Sequence, residues 1–166
     1  MGILVAKPKV GYFFNGVQKD TSLTDLFSIT VDEIKSVPIV IEDTASIYDA
    51  AVMMFLEDVG TVFVVKKGYL TGVVSRKDLL KATLGGNDAQ SLPVSVVMTR
   101  VANIIYCNQN DVLMDAIKKI VEYHIDCLPI VTEEAPNAYK VIGRVSKTNI
   151  ARYIVEISQQ RKERSS

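Results

Sequence analysis

The chain is poor in the residues from which metal centres and nucleophilic sites are built, with one histidine and two cysteines in 166 residues. His124 has no second histidine to form a metal pair. Cys107 and Cys127 lie in apolar, strand-like runs without Cys-x-x-Cys or histidine spacing, so no metal is expected and both read as buried free thiols. No nucleophile shows a base partner nearby in sequence. Charge of one sign is lacking as well: nineteen basic and nineteen acidic side chains cancel, which removes the net field that draws a protein to nucleic acid or an anionic membrane. Apolar runs fall far short of a bilayer span. Met1 to Val10 carries Lys7 and Lys9 but no hydrophobic stretch ending in a cleavage site, so no secretory signal is read and the chain is placed in the cytoplasm. Gly85-Gly86 lacks the following Gly-Lys-Ser/Thr of a P-loop and reads as part of a linker.

What is present is a core-forming composition, 48% apolar and 23% charged, written out twice. Gly72-Val73-Val74-Ser75-Arg76-Lys77-Asp78 returns as Gly143-Arg144-Val145-Ser146-Lys147-Thr148-Asn149. Upstream of each copy, a helix-like run leads into an apolar strand: Ile47 to Phe55 into Thr61–Val65, then Leu113 to Val121 into Cys127–Val131. Further upstream, Ser28-Ile29-Thr30-Val31 matches Ser91-Leu92-Pro93-Val94. Landmarks that recur in one order mark an internal repeat. Units of about sixty residues bury too little surface to stand alone, so the two should pack on each other.

Between Asp43 and Asp58, Ile47, Ala50, Ala51, Met54 and Phe55 recur at helical steps, with Thr44 and Ser46 as candidate caps. Thr61 to Val65 and Tyr69 to Val74 flank Lys66-Lys67-Gly68, a hairpin with a glycine turn. A second helix follows Ser75 and stops at Gly85-Gly86. In the second copy Ile104 to Cys107 is the expected strand and Asp111 the cap. Leu113, Ala116, Ile117, Ile120 and Val121 form the helix stripe, and Thr132 to Lys140 is a long hairpin loop holding Pro136 and Asn137. The closing helix runs from about Thr148 to Ser158. Ahead of both copies, Ile3 to Ala6 and Val10 to Phe14 resemble a small hairpin around a basic turn.

This strand-helix-strand-strand-helix order, the Gly-x-x-Ser-x-x-Asp element and Val97-Met98-Thr99-Arg100 closely resemble the CBS domain family, over about residues 22 to 158. The resemblance implies an α/β (α+β) fold, a tandem CBS pair or Bateman module of two β-α-β-β-α units related by pseudo-two-fold symmetry. The expected division is a wing-like hairpin and linker over 1–20, CBS domain 1 over 21–86, CBS domain 2 over 91–158 and a tail over 159–166. It also implies an adenosine-containing ligand in a cleft between the units. A serine where a strand enters a helix can meet phosphate beside free amides, and a carboxylate three residues on can accept two bonds from a ribose diol; Ser75 and Asp78 fit these roles. Carried over by position, the first site adds Val73 beside the sugar, Ile105 against the base, and Asp126 and Cys127 on the facing strand, with Arg76 in reach of phosphate. The second site would use Val37, Pro38, Gly60, Thr61, Val145, Ser146, Lys147 and Asn149. There Asn149 replaces the carboxylate and loses charge-assisted pairing, a difference on the order of 1 kcal/mol, so unequal sites are expected. Equally, Ser146 and Asn149 can serve only to cap the last helix.

The opening Ala6 to Phe14 before a CBS pair is similar to bacterial transcriptional repressors that join a winged-helix DNA-binding domain to this module. That likeness implies a homodimeric sensor of ADP, ATP or AMP that meets DNA only through a domain missing from this chain, with no membrane partner. The alternative is a CBS regulatory subunit or appendage sensing energy charge for an enzyme or transporter. An enzyme is not expected, since Ser75 and Asp78 lack an acid-base partner at short range.

Overall fold

The computed structural model describes residues 27–86 and 88–164; the hairpin read over Ile3 to Phe14 lies outside them. Two sheets carry the fold. The first has the order β1 (Val40–Glu42), β2 (Thr61–Lys66), β3 (Tyr69–Ser75), β4 (Thr99–Arg100), and the second β5 (Cys107–Asn108), β6 (Cys127–Ala135), β7 (Ala138–Ser146). In each, the first strand runs parallel to the second, with a crossover helix between them, and the second pairs antiparallel with the third. The crossover helices are α2 (Ile47–Leu56) and α5 (Leu113–Glu122); the closing helices are α3 (Arg76–Leu84) and α6 (Lys147–Arg164). The result is a mixed α+β architecture built from the repeated β-α-β-β-α order.

Local chemistry accounts for most boundaries. Ser46 caps α2, accepting a bond from the Asp49 amide while the Asp49 carboxylate accepts from the Ser46 amide, a reciprocal pairing that satisfies two otherwise orphaned donors. The β2–β3 turn places Lys67 at φ 53° and Gly68 at φ 83°, the paired left-handed residues that match the twist of a two-residue hairpin. Gly86, at φ 77°, follows the end of α3.

Four expectations need correction. Residues 104–106 are not strand; a 3₁₀ turn (Val101–Asn103) precedes a strand of only Cys107–Asn108. The N-cap of α5 is Val112 without a side-chain cap, because the Asp111 carboxylate is taken by the Asn108 amide (3.2 Å) and Lys119 Nζ (3.1 Å). Thr132 to Lys140 is not a loop: β6 and β7 continue through it to a two-residue turn at Pro136-Asn137, with irregular register at Glu133/Ala135. The closing helix passes Ser158 and reaches Arg164.

Two short helices tie the units together. α1 (Val31–Ile34) packs in the core of the second sheet with Leu113, Leu128 and Tyr153, while α4 (Val94–Val97) places Val94 in the core of the first with Ile47, Val62 and Leu79. The exchange is symmetric, since Thr30 bridges Val112 as Pro93 bridges Ser46. It also explains the glycine of the repeated motif. A Cβ on Gly72 would lie 2.2 Å from Met98 Sδ and 3.0 Å from the Thr99 carbonyl oxygen, and one on Gly143 would lie 2.9 Å from Lys35 Cδ. Met98 and Lys35 occupy equivalent places in the two copies, so each glycine makes room for the segment that crosses its strand. Between the sheets lies a third cluster around Phe63, Leu70 and Val131, closed by Tyr106 on Tyr139 with ring centroids 5.2 Å apart.

Candidate functional site

The seam between the sheets opens into two clefts that share part of one wall. The first, about 450 Å³, is entered where β3 passes into α3. All seven residues of the first predicted set line it: Val73, Ser75, Arg76, Asp78, Ile105, Asp126 and Cys127. The chain brings them together from three places, namely the end of β3 with the first turn of α3, the segment before β5, and the start of β6. Pro129, Thr99 and Lys81 line it too; these come from the facing strand, the crossing strand β4 and the second turn of α3, and nothing in the repeat pattern marked them.

Ser75 is the N-cap of α3. Its hydroxyl donates to Asp78 Oδ2 at 2.6 Å and accepts from the Asp78 amide at 3.3 Å, while its own amide donates to Oδ2 at 2.9 Å. The motif spacing therefore builds a capping box first, and the same half-buried pair faces the cleft. Arg76 is held outside the helix axis, with Nη2 donating to the Val59 carbonyl at 3.1 Å and lying 4.0 Å from Asp58. Burial pushes the Cys127 thiol up to about 11, against the pull of the Arg144 guanidinium, whose hydrogen bond also reaches it. At the rim, His124 adopts φ 51° just after α5, as Asp58 does at φ 50° after α2. These are equivalent positions in the repeat, where a short polar side chain tolerates the left-handed turn.

The second cleft, about 400 Å³, shares Gly60, Thr61, Arg76, Asp126 and Cys127 with the first. Of the second predicted set, Gly60, Thr61, Ser146 and Lys147 line it, whereas Val37, Pro38, Val145 and Asn149 do not. Val145 is fully buried in the core under α5 and α6. Strand alternation is the reason: Gly143, Arg144, Val145 and Ser146 match Gly72, Val73, Val74 and Ser75, so Arg144 is the counterpart of cleft-facing Val73 and Val145 that of core-facing Val74. Asn149 is buried at 1% exposure, accepting from the Ser146 hydroxyl and donating from Nδ2 to the Ile34 carbonyl at 3.5 Å. It holds α6 to α1. Val37 touches this region through its backbone, its carbonyl accepting from Arg144 Nε at 3.1 Å. Lys147 Nζ pairs with Asp126 at 2.7 Å across the mouth.

Among the described residues there is no group of three or more histidine, cysteine, aspartate or glutamate side chains placed to hold a metal ion, and no helix is long and apolar enough to cross a membrane.

Comparison with known proteins bears on this geometry. The family model of the CBS domain matches residues 31–85 and again 94–156. The chain is 44% identical over 160 residues to the transcriptional repressor CcpN of Bacillus subtilis, covering 95% of this chain and 75% of the relative. It is 32% identical to the CBS domain-containing protein YhcV of the same organism, covering 69% of this chain and 72% of that one. Among solved structures, the CBS domain pair of protein MJ0100, in complex with 5′-methylthioadenosine and S-adenosyl-L-methionine, superposes with a TM-score of 0.67 at 24% identity, covering 77% of this chain and 97% of that one. An acetoin utilization protein (AcuB) from Vibrio cholerae superposes at 0.70 with 22% identity, covering 81% and 96%.

Proposed function

Because this chain belongs to the CBS domain family, as a tandem pair shared with a bacterial transcriptional repressor, we propose that it is a regulatory module that senses an adenine nucleotide in its first cleft. The observation that carries the reading is the convergence of Val73, Ser75, Arg76, Asp78, Ile105, Asp126 and Cys127 on one opening of about 450 Å³, within the usual size of small-molecule sites. Ile105 and Val73 supply apolar surface for a base and sugar, and Asp78 a carboxylate for the ribose diol. Ser75 and Arg76, at the positive end of α3, supply donors for phosphate. The MJ0100 pair, solved with two adenosine derivatives, is in keeping with this ligand class.

Regulation follows from differential affinity. A ligand shifts an equilibrium only by binding one arrangement better than another, and a nucleotide bridging β3 of the first sheet to β6 of the second favours the closed seam. In a homodimer of such pairs, the change would pass to the spacing of attached winged-helix domains, and so to DNA binding, in the cytoplasm.

Calorimetric titration with AMP, ADP and ATP tests this. Binding should be lost or weakened at least about tenfold by Asp78→Ala, which removes a charged acceptor. Asn149→Ala should leave nucleotide affinity within about twofold while lowering stability by about 1–3 kcal/mol, because the buried Ile34 carbonyl loses its Asn149 partner. Absence of heat with every nucleotide would overturn the sensor reading, and unchanged scattering profiles on saturation would overturn its coupling to geometry.

A further inference from the structure

Besides the replacement of Asp78 by the inward-turned Asn149, the second cleft differs from the first in the side chain on its strand wall. Where the first has Val73, the second has Arg144, which is 6% exposed and anchored by its Nε on the Val37 carbonyl at 3.1 Å. Among the described residues no carboxylate lies within ion-pair distance of it. A buried guanidinium without a counter-charge is costly and is retained where an anion arrives to meet it. The surrounding walls point the same way. Arg76, Lys147 and Arg152 also line this cleft, against two carboxylates, Asp58 and Asp126. With Arg144, four cationic side chains line this cleft against two carboxylates, of which Asp126 pairs with Lys147 and Asp58 lies beside Arg76. The second cleft adjoins the first along a common wall that includes Gly60, Thr61 and Arg76.

We propose that Arg144 fills the nucleoside position of the second cleft and turns that cleft into an anion pocket for the outer phosphates of the nucleotide whose nucleoside sits in the first. The pair then takes one polyphosphorylated ligand per chain, and Arg144 sets its preference by phosphate number. This rests on the nucleotide reading of the first cleft. Planar, bidentate guanidinium donors suit phosphate oxygens better than a nucleobase edge, and the second cleft presents Arg144 where the first presents Val73 while lacking the counterpart of Asp78.

The test is titration of the whole chain with AMP, ATP and inorganic tripolyphosphate, in the natural sequence and in Arg144→Met, which keeps length and apolar contact. ATP is expected to bind at one equivalent and at least about tenfold tighter than AMP. Tripolyphosphate alone should bind. Arg144→Met should weaken ATP and tripolyphosphate by about tenfold or more while leaving AMP within about twofold, and Arg144→Lys should restore part of the loss. Two nucleotides per chain, equal affinity for AMP and ATP in the natural sequence, or unchanged ATP binding in Arg144→Met would each overturn the proposal while leaving the first-cleft reading intact. Tripolyphosphate binding that depends on Arg144, with no binding of any nucleotide, would keep the anion pocket and overturn the nucleotide reading. No binding of any of the three overturns both. The comparison of AMP with ATP needs no variant, so it decides even if Arg144→Met fails to fold.

Discussion

A thiol cut off from water keeps its proton, and Cys107 shows the consequence. It is fully buried at the start of β5, and burial pushes its pKa up to about 11, more than Lys119 nearby pulls it down. The unfolded thiol titrates near 9, so between about pH 9 and 11 the unfolded chain gives up a proton that the folded chain retains. The stability from the neutral thiol is therefore complete below pH 9 and is lost as pH rises through 11. Urea midpoints should fall across that window and fall less in Cys107→Ala; equal slopes in the two proteins would contradict the assignment. The same scale holds what the repeat spacing hid. Ser75 and Asp78 were legible because a motif read for ligand chemistry is also a helix cap. The second predicted set has Val145 in place of Arg144, although the aligned repeat puts Arg144 opposite Val73 and the two-residue alternation of a strand turns Val145 to the core.

At the scale of elements, amphipathic spacing located α2 and α5 closely but overstated their buried stripes. Ala50, Met54, Ala116 and Ile120 are buried, yet Phe55 is 85% exposed and Val121 also faces outward. A 3.6-residue period locates an apolar face, not how much of it a neighbour covers. The motif glycines carry the opposite lesson. Nothing in Gly-x-x-Ser-x-x-Asp says that α4 and β4 cross β3 at Gly72, since that contact joins parts of the chain far apart in sequence. Gly72→Ala should destabilise by about 1–3 kcal/mol, as overpacking against Met98 and the Thr99 backbone requires shifts of the crossing segment. Gly143→Ala meets a flexible Lys35 side chain and should cost less. Urea unfolding of the two variants checks the order, and a larger loss at Gly143 would show that Lys35 cannot yield.

The molecule as a whole leaves apolar side chains on the outside of its helices. Phe55 and Leu56 on α2 and Leu80 and Leu84 on α3 are all well exposed, Leu84 at 80%. Large apolar residues gathered on outer helices mark association surfaces, and a second copy of the chain is the occupant that the proposed dimeric sensor requires. Sedimentation velocity at micromolar concentration should give a dimer, and Phe55→Glu with Leu84→Glu a folded monomer by circular dichroism. A monomeric natural chain would remove the dimer from the proposed mechanism. Ligand saturation offers a further check, because a nucleotide at a hundredfold its Kd stabilises the folded state by about 2.7 kcal/mol.

The sequence by itself determined the duplication, the order of elements in each copy, the hairpins and the capping serines, because these follow from short-range periodicity and local hydrogen bonding. The motif marked Ser75 and Asp78, and the resemblance to CBS domains that it carries named the other residues that line the first cleft. Only the tertiary structure decided that α1 and α4 exchange between the cores, that β6 and β7 extend as far as the Pro136-Asn137 turn, and that Asn149 turns inward to α1. It decided as well that Arg144 occupies the second cleft. The exchange of α1 and α4 and the turn of Asn149 depend on contacts between residues far apart along the chain, where burial and backbone pairing, rather than neighbouring residues, choose the direction of a side chain.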